Sequence, residues 1–266
     1  MLKKELLLID PQEDLCNPDT GSLYVDGSEK DMTRLADMII KNVYDIDDIN
    51  ITMDSHHSFS VFHPIFWIDQ NGNNPDPFTI ISYQDVKDNK WMPVISHLYD
   101  RMLDYTKKLK ENGKYPLCIW PEHCIIGSQG HSVYSPLLEA TRYWEKTRQG
   151  VVNFIPKGSS VLTESYSSIK SDIPDPNDPS THINYFFEDL LERTDILYVG
   201  GEASSHCVIN TLRDMYEIIK NKDNFKKVIW LEDATSPVKG FENLEKDGMK
   251  ELIKKGMKIS KTTNNF

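Results

Sequence analysis

Six residues in this chain could do chemistry together, and each stands where a short apolar run stops. Cys207 follows the run 197–199 and a turn of mostly small residues ending in Ser204 and Ser205. It opens a segment with Val208, Ile209, Leu212, Met215, Tyr216 and Ile219 at three-to-four-residue spacing. That pattern predicts a strand, a tight turn and a buried amphipathic helix beginning around Cys207, with the sulfur at the positive end of the helix dipole. Unpaired backbone N–H groups there favour a thiolate, the form in which a cysteine attacks a carbonyl. A small buried apolar group is the alternative reading of the same residue. Asp10 closes the run 6–9, Asp54 and His56 follow the run 49–53, His123 follows 116–120, and Lys157 follows 151–155. A thiol, an acid and an amine are the parts of nucleophilic and acid–base catalysis. Asp10 and Lys157 could also form a buried salt bridge joining strand ends, which does not exclude catalysis.

The elements that would position these residues alternate along the chain. Helical periodicity is expected over 28–44, 98–110, 137–144, 186–193 and 244–255, and strands over 6–9, 49–53, 116–120, 151–155, 195–200, 227–231 and near 257–259. Alternation of this kind implies an α/β protein with three layers, a mostly parallel sheet with helices on both faces, whose strands end on one ligand-binding edge. Residues 64–97 break the rhythm with Pro, Gly and Asn, and read as an ordered insertion with its own strand at 78–82. The insertion either shapes a binding site or serves as an arm between copies of a homo-oligomer.

With 266 residues, 39% of them hydrophobic, the whole chain 1–266 is expected to form one large domain. A net charge of -11 argues against a nucleic-acid surface, and the longest apolar runs are too short to cross a bilayer. The basic, apolar start imitates a secretion signal, but its run stops at Asp10 and no small-residue cleavage site follows. Four scattered cysteines, Cys16, Cys118, Cys124 and Cys207, are expected to be reduced thiols in a cytoplasmic protein.

Five short stretches carry a resemblance. Leu-Ile-Asp-Pro-Gln-Glu-Asp at 8–14, Asp-Ser-His at 54–56, Trp-Pro-Glu-His-Cys at 120–124, Pro-Lys-Gly at 156–158 and Gly-Glu-Ala-Ser-Ser-His-Cys at 201–207 resemble the isochorismatase-like cysteine hydrolases, and within them the nicotinamidases. The likeness covers the chain apart from 64–97. It implies the isochorismatase-like hydrolase fold and hydrolysis of a small amide, with Asp10, Lys157 and Cys207 as a catalytic triad. Cys207 would form an acyl-thioester, Asp10 would move the proton, and Lys157 would steady the thiolate and orient the acid. The resemblance further implies an oxyanion hole from the backbone N–H groups of Ala203 and Cys207, with a cis peptide between Glu202 and Ala203. Asp54, His56 and His123 would hold one divalent metal ion, Zn or Fe, with His123 arriving from an adjacent strand end and His57 and His63 as candidate extra ligands. Leu15, Trp120 and Tyr166 would wall the substrate pocket, although the two aromatic residues also suit an ordinary core. Leu15, Glu202 and His206 depart from the usual nicotinamidase pattern, and all surround the substrate. Another small amide as substrate, or an inactive binding protein of the same fold, are the alternatives.

Overall fold

A computed structural model describes residues 2–264. Its centre is a six-stranded sheet in the order Lys258–Ser260, Val228–Leu231, Ile196–Gly201, Lys4–Ile9, Asp48–Asp54, Asn153–Lys157, with every pairing parallel. The run Leu6-Leu7-Leu8-Ile9 is wholly buried, as expected of a parallel strand covered on both faces. Because successive side chains leave a strand on opposite sides, Leu7 and Ile9 enter one core with Met102, Leu190, Val208 and Leu212. Leu6 and Leu8 enter the other with Met32, Leu35, Ile39 and Trp144. Helices Ser28–Lys41 and Ser135–Arg148 cover the second face; Tyr99–Glu111, Phe186–Arg193, Ile209–Ile218 and Glu242–Lys254 cover the first. The expected three-layer architecture is therefore present.

Two local expectations need correction. The apolar run 116–120 does not join the central sheet. Only Leu117–Cys118 is strand, and it pairs antiparallel with Ile80–Ile81, a two-residue strand inside the stretch expected at 78–82. A second small antiparallel pair, Trp67–Ile68 with Met92–Pro93, and a capped helix Tyr83–Lys87 complete the insertion. The second correction concerns Cys207. It lies inside a π-helical turn, Ser204–Val208, and the α-helix starts only at Ile209.

The four cysteines are all unpaired and buried. Among the described residues no helix is long and apolar enough to cross a membrane.

Candidate active site

The C-terminal ends of three neighbouring strands bring Asp10, Asp54 and Lys157 together, and the π-helical turn after a fourth adds Cys207. Lys157 Nζ lies 3.0 Å from Asp10 Oδ2, 2.5 Å from Asp54 Oδ1 and 3.6 Å from Cys207 Sγ, and donates to the Ser165 carbonyl at 2.8 Å. Burial alone would strip the Lys157 proton, but the Asp10 and Asp54 carboxylates outweigh it and hold the ammonium. Asp10 leaves its strand in the left-handed region, φ 44°, which a short acid tolerates, and Thr52 donates to its Oδ1 at 2.6 Å. Its other oxygen, Oδ2, makes the ion pair with Lys157, and Cys207 Sγ lies within 4.8 Å of an oxygen of this carboxylate. Burial raises the Asp10 carboxyl to about 6, against the pull of Lys157. The Cys207 thiol is pushed well above its ordinary value by burial, more than Lys157 lowers it. Contrary to the dipole argument, the sulfur at rest keeps its proton, and a base must remove it.

Cys207 and Ala203 line a small cavity of about 40 Å³ that opens to solvent. Leu15, Leu23, Val25, Trp120, Tyr166, His206 and Val238 supply most of its walls, so all three residues expected at a substrate pocket are present around it. Trp120 Nε1 donates to the Tyr166 hydroxyl at 3.1 Å, fixing two of those walls. The Glu202–Ala203 peptide is cis. The Ala203 carbonyl accepts from the N–H groups of His206 and Val208, at 3.0 and 3.2 Å, which folds the turn back under the cavity floor.

Asp54, His56 and His123 open into the same cavity, each offering a ligand atom within 4.8 Å of the others. His56 Nδ1 meets the Gly158 carbonyl at 2.9 Å and His123 Nδ1 meets the Pro121 carbonyl at 2.9 Å. A carbonyl can only accept, so both Nδ1 atoms carry a proton, the arrangement found behind metal-bound imidazoles. His56 Nε2 faces Asp54 Oδ1 at 3.4 Å, and although burial alone would lower its proton affinity, the Asp54 carboxylate raises it above the ordinary value. Burial and His56 lower His123 to about 3, so it stays neutral, as a ligand must. One carboxylate and two imidazoles fit a divalent ion of the zinc or iron type, which would displace any proton between His56 and Asp54. His63 stands at the edge of the group, its ring 5.7 Å from that of His123, and its buried Nε2 has no partner among the described residues; His57 is exposed. His123 arrives on a loop, not a sheet strand. Cys124 behind it takes φ 49° and is anchored by Asp14, which accepts its N–H at 2.6 Å.

Sequence reasoning passed over Glu164, a buried cavity residue whose carboxyl is raised to about 7 by burial. It lies in an irregular connection with no periodicity to mark it. Gln12 was also passed over as a structural part: its side chain bonds both the N–H and the carbonyl of Asp54, at 2.6 and 2.8 Å.

No family model and no curated protein matches the chain. Solved structures do. The yeast nicotinamidase bound to the inhibitor nicotinaldehyde is 19% identical with a TM-score of 0.65, covering 97% of this chain and 99% of that one. The nicotinamidase/pyrazinamidase of Acinetobacter baumanii is 18% identical with a TM-score of 0.63, over 99% and 98% of the two chains. The chain has the nicotinamidase fold. A third structure of this nicotinamidase fold, the pyrazinamidase of Pyrococcus horikoshii in complex with zinc, is 19% identical with a TM-score of 0.55, over 97% and 99%.

Proposed function

We propose that the protein is a metal-containing cysteine amidohydrolase that converts nicotinamide and water to nicotinic acid and ammonia. The observation that carries this reading is the placing of Lys157 between Asp10 and Cys207, with Cys207 lining an aromatic-walled cavity together with Asp54, His56 and His123. Asp10, ionised above about pH 6 and close to the sulfur, takes the thiol proton as sulfur attacks the amide carbon. The Lys157 ammonium beside both groups stabilises the thiolate as it forms. The tetrahedral oxyanion is held by the backbone N–H groups of Ala203 and Cys207, each well-placed donor contributing about 3–4 kcal/mol. Asp10 returns its proton to the leaving nitrogen, the C–N bond breaks, and ammonia departs from an acyl-thioester on Cys207. Asp10 then takes a proton from water as its oxygen attacks the thioester carbon; the C–S bond breaks, nicotinic acid is released, and Asp10 returns the proton to sulfur, restoring carboxylate and thiol.

Asp54, His56 and His123 would hold the metal, which when bound offers a Lewis-acid contact for the pyridine nitrogen. The rest of the ring would lie against Leu15, Trp120 and Tyr166. In this reading the chain works as one domain, and the insertion at 64–97 braces the cavity wall. The Phe78 N–H donates to the Ile119 carbonyl at 2.5 Å, and the Phe78 ring stands edge-on to Trp120 at 5.8 Å. Glu164 and His206 in the cavity walls favour a second substrate reading, the same chemistry on another small amide that offers them hydrogen-bonding groups. Incubating metal-replete protein with nicotinamide and assaying ammonia and nicotinic acid tests the first reading. No release above background, with release from another amide in a screen, would move the assignment to the second.

A further inference from the structure

We infer that Glu202 is a positioning residue that works as a neutral acid: it donates a hydrogen bond to Asp31 while keeping its proton, and this acid pair holds the Glu202–Ala203 turn in register with Cys207. The role rests on the reading of Ala203 as an oxyanion donor. Glu202 is fully buried, and its Oε2 accepts from the Ser236 N–H at 3.1 Å. Oε1 has no hydrogen-bond partner among the described residues, and Ser236 brings the Asp31 carboxyl beside it, its N–H bonding Glu202 and its Oγ bonding Asp31. Two facing carboxylates repel; with one proton between them they bond. Asp31 is the member equipped to keep the charge, because Arg34 donates to its Oδ1 and Ser236 Oγ donates to its Oδ2 at 2.5 Å. The proton therefore sits on Glu202.

The surroundings reinforce that assignment. Facing Glu202 are Asp31 from helix Ser28–Lys41, Glu245 from helix Glu242–Lys254, and Cys16 from the short helix Glu13–Cys16, with Arg34 one turn on from Asp31. Arg34 is engaged by Asp31 and by the Asp233 carbonyl at 2.5 Å, and the other three are acids or a thiol, so none neutralises an ionised Glu202. Burial and Asp31 accordingly hold the Glu202 carboxyl well above its ordinary value.

The turn itself hangs from the following loop by backbone bonds, Gly201 N–H to the Ala234 carbonyl and Ser204 N–H to the Ser236 carbonyl, each 2.9 Å. Glu202 adds the tie to a helix on the other side of the sheet. Ionising it sets two buried anions side by side, and the turn carrying Ala203 is what can give way.

Steady-state rates on nicotinamide from about pH 6 to about pH 10 test this. Glu202→Gln, which keeps a donor and an acceptor, should hold kcat within about two-fold at neutral pH and flatten the alkaline fall of the natural protein. Glu202→Ala should lower kcat on the order of ten-fold or more with KM little changed, since oxyanion stabilisation and not substrate affinity is lost. Unchanged kcat in Glu202→Ala, or equal damage in both variants, overturns the inference. Infrared difference spectra supply a readout independent of turnover and of how well Glu202→Ala folds. A protonated-carboxyl band should persist at about pH 8, above the values of about 6 and about 7 for Asp10 and Glu164, and vanish in Glu202→Gln. Absence of that band in the natural protein overturns the acid pair even if nicotinamide is hydrolysed. Its presence without hydrolysis supports the acid pair and retires only the nicotinamide reading.

Discussion

Single atoms decide the chemistry at the residue scale. Cys207→Ala should abolish turnover while lowering stability by only about 1 kcal/mol, because it removes one buried sulfur from a turn held by backbone bonds. Amide hydrolysis and the thermal midpoint check both halves; turnover like that of the natural protein in a folded variant would take Cys207 out of the mechanism. Asp10 makes a pH prediction. It can accept the thiol proton only when ionised, and burial raises its carboxyl to about 6, so kcat/KM should climb with pH through about 6 and level off above. A profile flat from about pH 5 to about pH 7 would remove Asp10 as the base. The sequence made these residues visible through their types at strand ends. It did not show their protonation states, which follow from burial; the dipole argument for a resting Cys207 thiolate failed because desolvation outweighs Lys157. Glu164 was illegible for a related reason, since nothing about an acid in an irregular stretch says that it faces inward.

At the scale of elements, what matters is how strand ends and turns hold those atoms. Gly158, just past the strand Asn153–Lys157, takes φ 75°, and a Cβ there would lie 2.6 Å from His56 Cε1 and 3.3 Å from Asp54 Oδ1. His56 has little room to yield, because its ring packs against Phe62 at 4.6 Å. Gly158→Ala should therefore lower metal content, measured by elemental analysis, while Cys207 keeps its reactivity toward iodoacetamide. Full metal occupancy in this variant would show that His56 is not a ligand. The continuous runs 6–9 and 49–53 were readable as buried parallel strands because both faces are covered, which removes alternation. The run 116–120 looked the same and was not, since an apolar run reports burial but not which sheet buries it. The π-helical turn at Ser204–Val208 was missed because the i, i+3, i+4 pattern of the following helix runs up to it without a break.

Across the whole molecule, the edge of the sheet away from the cavity carries its own constraint. Glu5, fully buried, takes hydrogen bonds from Arg193, Thr194 and Asn50 and an ion pair with Lys3 at 2.9 Å, tying the first strand to its neighbour and to helix Phe186–Arg193. Burial would raise its carboxyl, but Arg193, Lys3 and Thr194 together hold it below the ordinary value of 4.5. The unfolded chain binds that proton first as pH falls. The contribution of Glu5 is thus complete above 4.5 and is lost as pH drops through the lower folded value. The thermal midpoint should fall on acidification below about pH 4.5, and Glu5→Gln should make that fall shallower; an equally steep fall in the variant would show that Glu5 does not drive it. The overall architecture was legible because strand and helix alternate along the whole chain, with 64–97 as the interruption. The strand order carries a consequence for synthesis. Lys4–Ile9 pairs along its length with Ile196–Gly201, so the first strand made waits for one of the last. A growing chain on the ribosome holds Asp10, Asp54 and Lys157 long before it has a nucleophile to meet them, and chains that stall before Gly201 would be unfinished both as folds and as catalysts.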